Sequence, residues 1–103
     1  MARPEKTPDL MKRIGRCIET GSFWDTRHAA IRQKERRISR LDILFVLRNG
    51  HHEKKKDKFD EQFNSWNYAV KGRDIDHREI RVIVSFERNG MLIITAIELG
   101  KRI

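Results

Sequence analysis

Apolar and polar positions along this chain change period once, near its middle. From Thr7 to Asn49 the apolar residues recur at helical spacing, and from Trp66 onward they alternate. Leu10, Ile14, Cys17 and Ile18 fall on one face of a first helix, with Thr7 as its N-cap, Pro8 at the first helical position and Gly21 as its stop. In that stripe Cys17 is a small core residue and not a nucleophile. A second helix is predicted from Asp25 or Thr26 to Arg37. A third opens at Ser39, whose hydroxyl can cap the first turn while Asp42 reaches back from three residues on. Its body carries Leu41, Leu44, Phe45 and Leu47, and Asn49-Gly50 ends it. Residues 50–65 are polar and charged, anchored only by Phe59 and Phe63, and predict a loop holding at most one helical turn or a ragged strand.

Alternation then takes over. Trp66, Tyr68 and Val70 share one face of a strand that Gly72 ends. Ile80, Val82, Val84 and Phe86 alternate with Arg81, Ile83 and Ser85, Asn89-Gly90 signals a hairpin, and Met91–Glu98 is the returning strand. Both hairpin strands are apolar on both faces, which places them centrally in their sheet. The expected fold is α+β in two layers, two or three N-terminal helices packed on a C-terminal antiparallel sheet of three to four strands. Residues 1–103 form one expected domain: a loose arm at 1–6, a helical half at 7–49, a polar loop at 50–65 and the sheet at 66–99.

Composition sharpens this picture. Of 103 residues, 38% are apolar and 37% charged, a balance that disorder would tolerate, but the clustering of the apolar residues argues for a folded domain. The longest apolar run, Met91–Ile97, has seven residues, too few to span a bilayer. No charged-then-apolar leader opens the chain, so a cytoplasmic protein is expected. Cys17 is the only cysteine, which excludes an internal disulfide and a multi-cysteine zinc site. The net charge is +8 with a pI near 10.2. It is concentrated: Arg27 to Arg40 holds six basic residues and one acid, Glu35. Such a field attracts polyphosphate, or else an acidic protein surface. A second run, Lys54, Lys55 and Lys56 with Lys58, is diluted by Glu53, Asp57 and Asp60 and looks like a solvated loop.

On a helical wheel, Ala30, Ile31 and Ile38 fall in one arc that can face the core, while His28, Arg32 and Arg36 form a stripe about 80° wide on another flank. An imidazole can move a proton near neutral pH, and two guanidinium groups supply permanent charge with forked donors. Those are the parts needed to cleave an RNA phosphodiester with its own 2′-hydroxyl. The same stripe also suits a merely solvated basic face. Arg27, Arg37, Lys54, Lys55 and Lys56 are further candidates for phosphate contact, and Tyr68 for stacking on a base, although its alternation with Val70 favours the core. Arg81 interrupts an apolar strand, where a charge needs a partner or a function. A two-residue Asn-Gly turn sets it opposite Glu98. A three-residue loop at Arg88–Gly90 with a bulge instead aligns Phe86, Val84 and Val82 with Leu92, Ile94 and Ala96. It also places Arg81, Ile83 and Thr95 on one face toward a substrate. His51-His52-Glu53 lacks partners at ligand spacing, His77 suits a turn, and no metal or cofactor is expected.

Thr26-Arg27-His28-Ala29-Ala30, Arg32, Glu35-Arg36-Arg37-Ile38-Ser39, Asp42, Leu47 and Gly50 resemble the signature of a small bacterial domain family of unknown function. The likeness runs on through Trp66, Tyr68, Val70, Gly72, Arg81-Val82-Ile83-Val84 and Ile93-Ile94-Thr95, over residues 10–98. That family is similar to the RelE, BrnT and MqsR-type toxins of bacterial toxin–antitoxin pairs, compact α+β proteins of which many cleave messenger RNA without metal. The resemblance implies an endoribonuclease whose groove lies between the sheet face and the helix bearing His28. His28 would be general base or acid, Arg32 and Arg81 would hold the scissile phosphate with Thr95 beside them, and Arg36 would extend the groove. It also implies RNA as substrate, free or on the ribosome, and a cognate antitoxin as partner. Arg37 stands where the signature often has glycine, which suggests a looser turn and an added phosphate contact. The alternative is a non-catalytic basic module that binds RNA, DNA or an acidic protein.

Overall fold

In the computed structural model, which describes residues 3–100, the order is helix α1 (Leu10–Thr20), strand β1 (Phe23–Asp25), helix α2 (Arg27–Arg36), helix α3 (Arg40–Asn49), strand β2 (His51–His52), a 3-10 turn at Lys54–Lys56, then strands β3 (Lys58–Asp60), β4 (Ser65–Arg73), β5 (Glu79–Glu87) and β6 (Gly90–Glu98). The α+β expectation holds. The sheet is larger than expected, six strands in the order β1-β6-β5-β4-β2 with β3 on β4, and it is mixed, because β1 runs parallel to β6. No helix among the described residues is long and apolar enough to cross a membrane.

The α1 helix starts two residues after the predicted Thr7-Pro8 cap. Thr7 is already engaged: its N–H donates to the Tyr68 hydroxyl (2.8 Å) and its hydroxyl accepts from Arg13 Nη1 (3.0 Å). Asp9 caps instead, from a left-handed backbone (φ 45°), and Gly21 (φ 71°) ends the helix as expected. The arm is not loose over residues 3–6. Trp66 Nε1 donates to the Pro4 carbonyl (2.8 Å), Lys6 Nζ pairs with Asp57 (3.0 Å), and Arg3 lies 4.9 Å over the Phe59 ring. Residues 1 and 2 of that arm lie outside the described residues.

Both later helices obey their caps. Thr26 Oγ1 accepts from the Ala29 N–H (3.1 Å), and Ser39 and Asp42 form a reciprocal capping box. Their buried faces match the expectation only in part: Ile38 and Leu47 are buried as expected. In α2, Ala29 is buried and Ala30 and Ile31 point outward; in α3, Ile43, Val46 and Leu47 are buried and Leu41 is exposed. The reason for α2 is its seat: it lies along β6, beside the sheet edge, and buries only a narrow stripe. Arg37 takes the left-handed conformation (φ 55°) that a glycine would take there, so the turn into α3 is as tight as with glycine and not looser.

Ile80, Val82, Val84, Met91 and Ile93 are fully buried beneath α1 and α3 with Leu10, Ile14, Ile43 and Val46. Hairpin register keeps part of the bulged form: Val82 pairs with Ala96 and Arg81, Ile83 and Thr95 share a face as expected, whereas Val84 and Phe86 take Ile93 and Met91 in place of Ile94 and Leu92. Glu87 pairs with Gly90 around an Arg88-Asn89 turn, Phe86 with Met91 and Val84 with Ile93. The bulge falls mid-strand, after which Ile83 pairs with Thr95, Val82 with Ala96 and Arg81 with Ile97. Close approach explains the turn: a Cβ on Gly90 (φ 152°) would sit 2.2 Å from the Ser22 carbonyl oxygen, so the glycine is needed where β1 joins, not at the hairpin tip. Below the sheet, buried Asp74 accepts from the Arg78 backbone N–H (2.8 Å) and Nε (2.7 Å). The same guanidinium reaches Asp42 (3.1 Å) and the Arg37 carbonyl (3.2 Å), tying the β4–β5 turn to the α2–α3 junction.

Left-handed backbone costs a non-glycine residue roughly 1–2 kcal/mol. Arg37→Gly should therefore stabilise the fold by up to about 1 kcal/mol once the added freedom of the unfolded chain is deducted. A rise of several degrees in the thermal unfolding midpoint is the expected measurement.

Candidate functional site

The site begins with a backbone problem. β1 covers the outer edge of β6 only at Met91–Ile93, leaving later β6 carbonyls without a strand partner on that side. The Thr26 N–H continues the β1 ladder to the Ile93 carbonyl (3.0 Å); beyond it Thr26 Oγ1 donates to the Ile94 carbonyl (3.5 Å) and Arg36 Nη1, from α2, to the Ala96 carbonyl (2.9 Å). Gln33 Nε2 and Arg40 Nη1 both reach Asp25 (3.1 and 3.3 Å), which pins α2 to β1.

This seat aims the predicted stripe. His28 is exposed, and its Nε2 lies 3.4 Å from Arg32 Nε, accepting a long hydrogen bond. An accepting nitrogen turns its lone pair to the donor, here Arg32, and the neutral ring then carries its proton on Nδ1. Arg32 also meets Glu35 (3.2 Å), but those side chains are 42% and 56% exposed, so water and salt weaken the pair and a phosphate can displace it. Arg36 reaches over the sheet edge, and its Nη1 also donates to Thr95 Oγ1 (3.2 Å). The structure thus brings His28, Arg32, Arg36 and Thr95 into one line, from the outer flank of α2 to the open sheet face.

Arg81 does not join them. Its Nε and Nη2 grip both carboxylate oxygens of Glu53 at 2.6 and 3.1 Å, with each side chain 19% exposed. The hydrogen bond from Arg81 and then its charge hold the Glu53 carboxyl below its usual range, although burial opposes them; the same contact raises Arg81. The predicted phosphate-binding role of Arg81 is therefore corrected to an internal ion pair. Neither expected register anticipated Glu53 as its partner.

The remaining candidates scatter. Arg27 and Arg37 are exposed at the two ends of α2. Tyr68 is buried (5% exposed), its ring edge-on to His52 and tilted against Phe86, so it offers no face to a base. The lysine turn divides. Lys54 lies toward α1 and the N-terminal strap, whereas Lys56 joins Lys58, Asn67, Arg81, Ile83 and Ile97 around a cavity on the open sheet face. Asp57 does not dilute this run as expected, because its side chain is fully buried. It accepts from the Ala69 N–H (2.9 Å) and meets His52 Nε2 (2.7 Å) and Lys6 Nζ (3.0 Å). Sequence reasoning missed Asn67, which alternation alone places on the outward face of β4. Among the described residues no three His, Cys, Asp or Glu side chains converge as metal ligands.

The Arg81–Glu53 pair sets a pH dependence. A carboxyl whose pKa is lowered by folding stabilises the protein above its unfolded value, near 4.5, and loses that contribution as pH falls through the folded value. Urea midpoints should fall between about pH 5 and 3 in the native protein. Glu53→Gln should cost about 1–3 kcal/mol at pH 7 and flatten that slope.

Among known proteins, a family model described as domain of unknown function, DUF4258, matches residues 26–98. No curated protein and no solved structure matches the chain.

Proposed function

The chain belongs to the DUF4258 family, and for this member we propose an RNA-cleaving activity that needs no metal, exercised in the cytoplasm as the toxin of a toxin–antitoxin pair. The observation that carries it is the line of His28, Arg32 and Arg36 running along α2 to Thr95, with the imidazole exposed and its Nε2 held only by a long contact from Arg32 that a substrate phosphate can draw away. The likeness to RelE, BrnT and MqsR-type toxins adds the biological class.

The chemistry follows from the side chains. His28 Nε2 takes the proton of a ribose 2′-hydroxyl, and the freed oxygen attacks the adjacent phosphorus. Arg32 and Arg36 donate to the non-bridging oxygens, where negative charge builds. Arg36 spends one nitrogen on Ala96 and Thr95, which fixes its direction and leaves Nε and Nη2 for the phosphate. The P–O5′ bond breaks, solvent supplies the proton to the leaving oxygen, and the products are a 2′,3′-cyclic phosphate and a 5′-hydroxyl. An antitoxin that covers this face would present acidic residues to it.

One observation favours a binding module without turnover: Glu53 neutralises Arg81, which removes one of the cations expected at the phosphate. The two functions separate cleanly. Purified protein should cleave RNA in EDTA and leave cyclic-phosphate ends, and His28→Ala should lower the rate about 100-fold or more while RNA still binds. RNA that stays intact, both free and on ribosomes, with salt-sensitive binding preserved, would establish the binding module instead.

A further inference from the structure

The open face of the sheet holds a cavity of about 320 Å³, beside the candidate site and separate from it. Ile83 and Ile97 line it together with Asn67, Arg81, Lys56 of the 3-10 turn and Lys58 of β3. That volume is at the small end of ligand pockets, about 300–1,000 Å³, with room for one base and its sugar. Charge decides the kind of occupant. Arg81 and Glu53 cancel each other, whereas Lys56 and Lys58 have no carboxylate partner among the described residues. The ligand therefore combines an apolar, flat body with negative charge at its rim.

Register places this cavity next to the proposed reaction. Ile83 pairs directly across from Thr95, the residue that Arg36 touches, and Ile97 follows Thr95 by two positions on the same face. A strand advances about 7 Å over two residues. A single-stranded chain whose phosphate lies at Arg36 thus delivers its neighbouring nucleotide to the cavity.

We infer that this cavity is a base-binding site for one nucleotide of single-stranded RNA. The base lies on Ile83 and Ile97, its flanking phosphates meet Lys56 and Lys58, and the Asn67 amide meets its edge. A carboxamide gives and receives one hydrogen bond side by side, a pattern that the unpaired edges of adenine, cytosine and uracil all complement, so the site holds a base without choosing among them. Arg81 and Glu53, locked together, form a rigid wall and do not compete for the phosphate.

The inference rests on RNA crossing this face, so its test separates the two. Fluorescence anisotropy on His28→Ala protein, with short oligo(A), oligo(U) and oligo(C) RNAs, reads affinity without cleavage. Each of the three should bind about tenfold more tightly than an abasic ribose-phosphate oligomer of the same length. Asn67→Leu, checked for an unchanged melting temperature, should narrow that difference and leave binding of the abasic oligomer within about twofold. Lys56→Ala with Lys58→Ala should weaken all three alike and lower the salt slope. Equal affinities for the base-bearing and abasic oligomers that Asn67→Leu does not alter would overturn the base site while leaving RNA binding intact. Failure to bind any of the RNAs would overturn both.

Discussion

A strand at the edge of a sheet has to satisfy its backbone carbonyls, and the outer edge of β6 does so in two instalments. The short parallel strand β1, continued by the Thr26 N–H, serves its first residues as far as Ile93; the Thr26 hydroxyl and the Arg36 guanidinium reach the Ile94 and Ala96 carbonyls beyond. That division sets the position of α2 beside the sheet and not over it. From there, a helix with little apolar surface of its own is held by polar contacts to Asp25, Ile93 and Ala96, and its basic flank follows the rim of the open face. His28, Arg32, Arg36 and Thr95 share a site because a carbonyl row needed donors.

Electrostatics reinforces the same geometry. The acids that dilute the basic segments in the sequence are largely withdrawn. Asp57 is buried with His52 and Lys6, Asp74 is buried under Arg78, and Glu53 is occupied by Arg81. The outward charge of the lysine turn is therefore more positive than its composition suggests, and the field over the open face favours an anion. Withdrawing these carboxylates from water is tolerable because each takes at least two hydrogen-bonding or charged contacts, for Asp74 and Glu53 from a single arginine, which offset the loss of hydration.

Arg81 shows how closely structural and functional explanations of a charged residue can resemble one another. A cation in an apolar strand needs either a partner or a ligand, and both satisfy the same desolvation argument. Glu53 meets that need from a segment 28 residues away, through a bidentate pair that no strand register supplies. Arg36 is the opposite case, a helix-surface cation that makes no ion pair among the described residues and instead donates to a carbonyl and a hydroxyl.

Local chemistry was legible in the residue order. The start of α2 near Thr26, the Ser39–Asp42 capping box, the Gly21 stop, the long strands and the His28 stripe each depend on neighbours within a few positions, where backbone geometry alone decides who meets whom. Tertiary structure decided the rest: the three-residue strand β1, the Asp9 cap in place of Thr7, the mid-strand bulge, the outward turn of Ala30 and Ile31, and the capture of Arg81 by Glu53. Each of these turns on a contact between distant segments. Such contacts are chosen by which carbonyls, carboxylates and apolar faces remain unsatisfied once the chain has closed on itself, and no local pattern records that remainder.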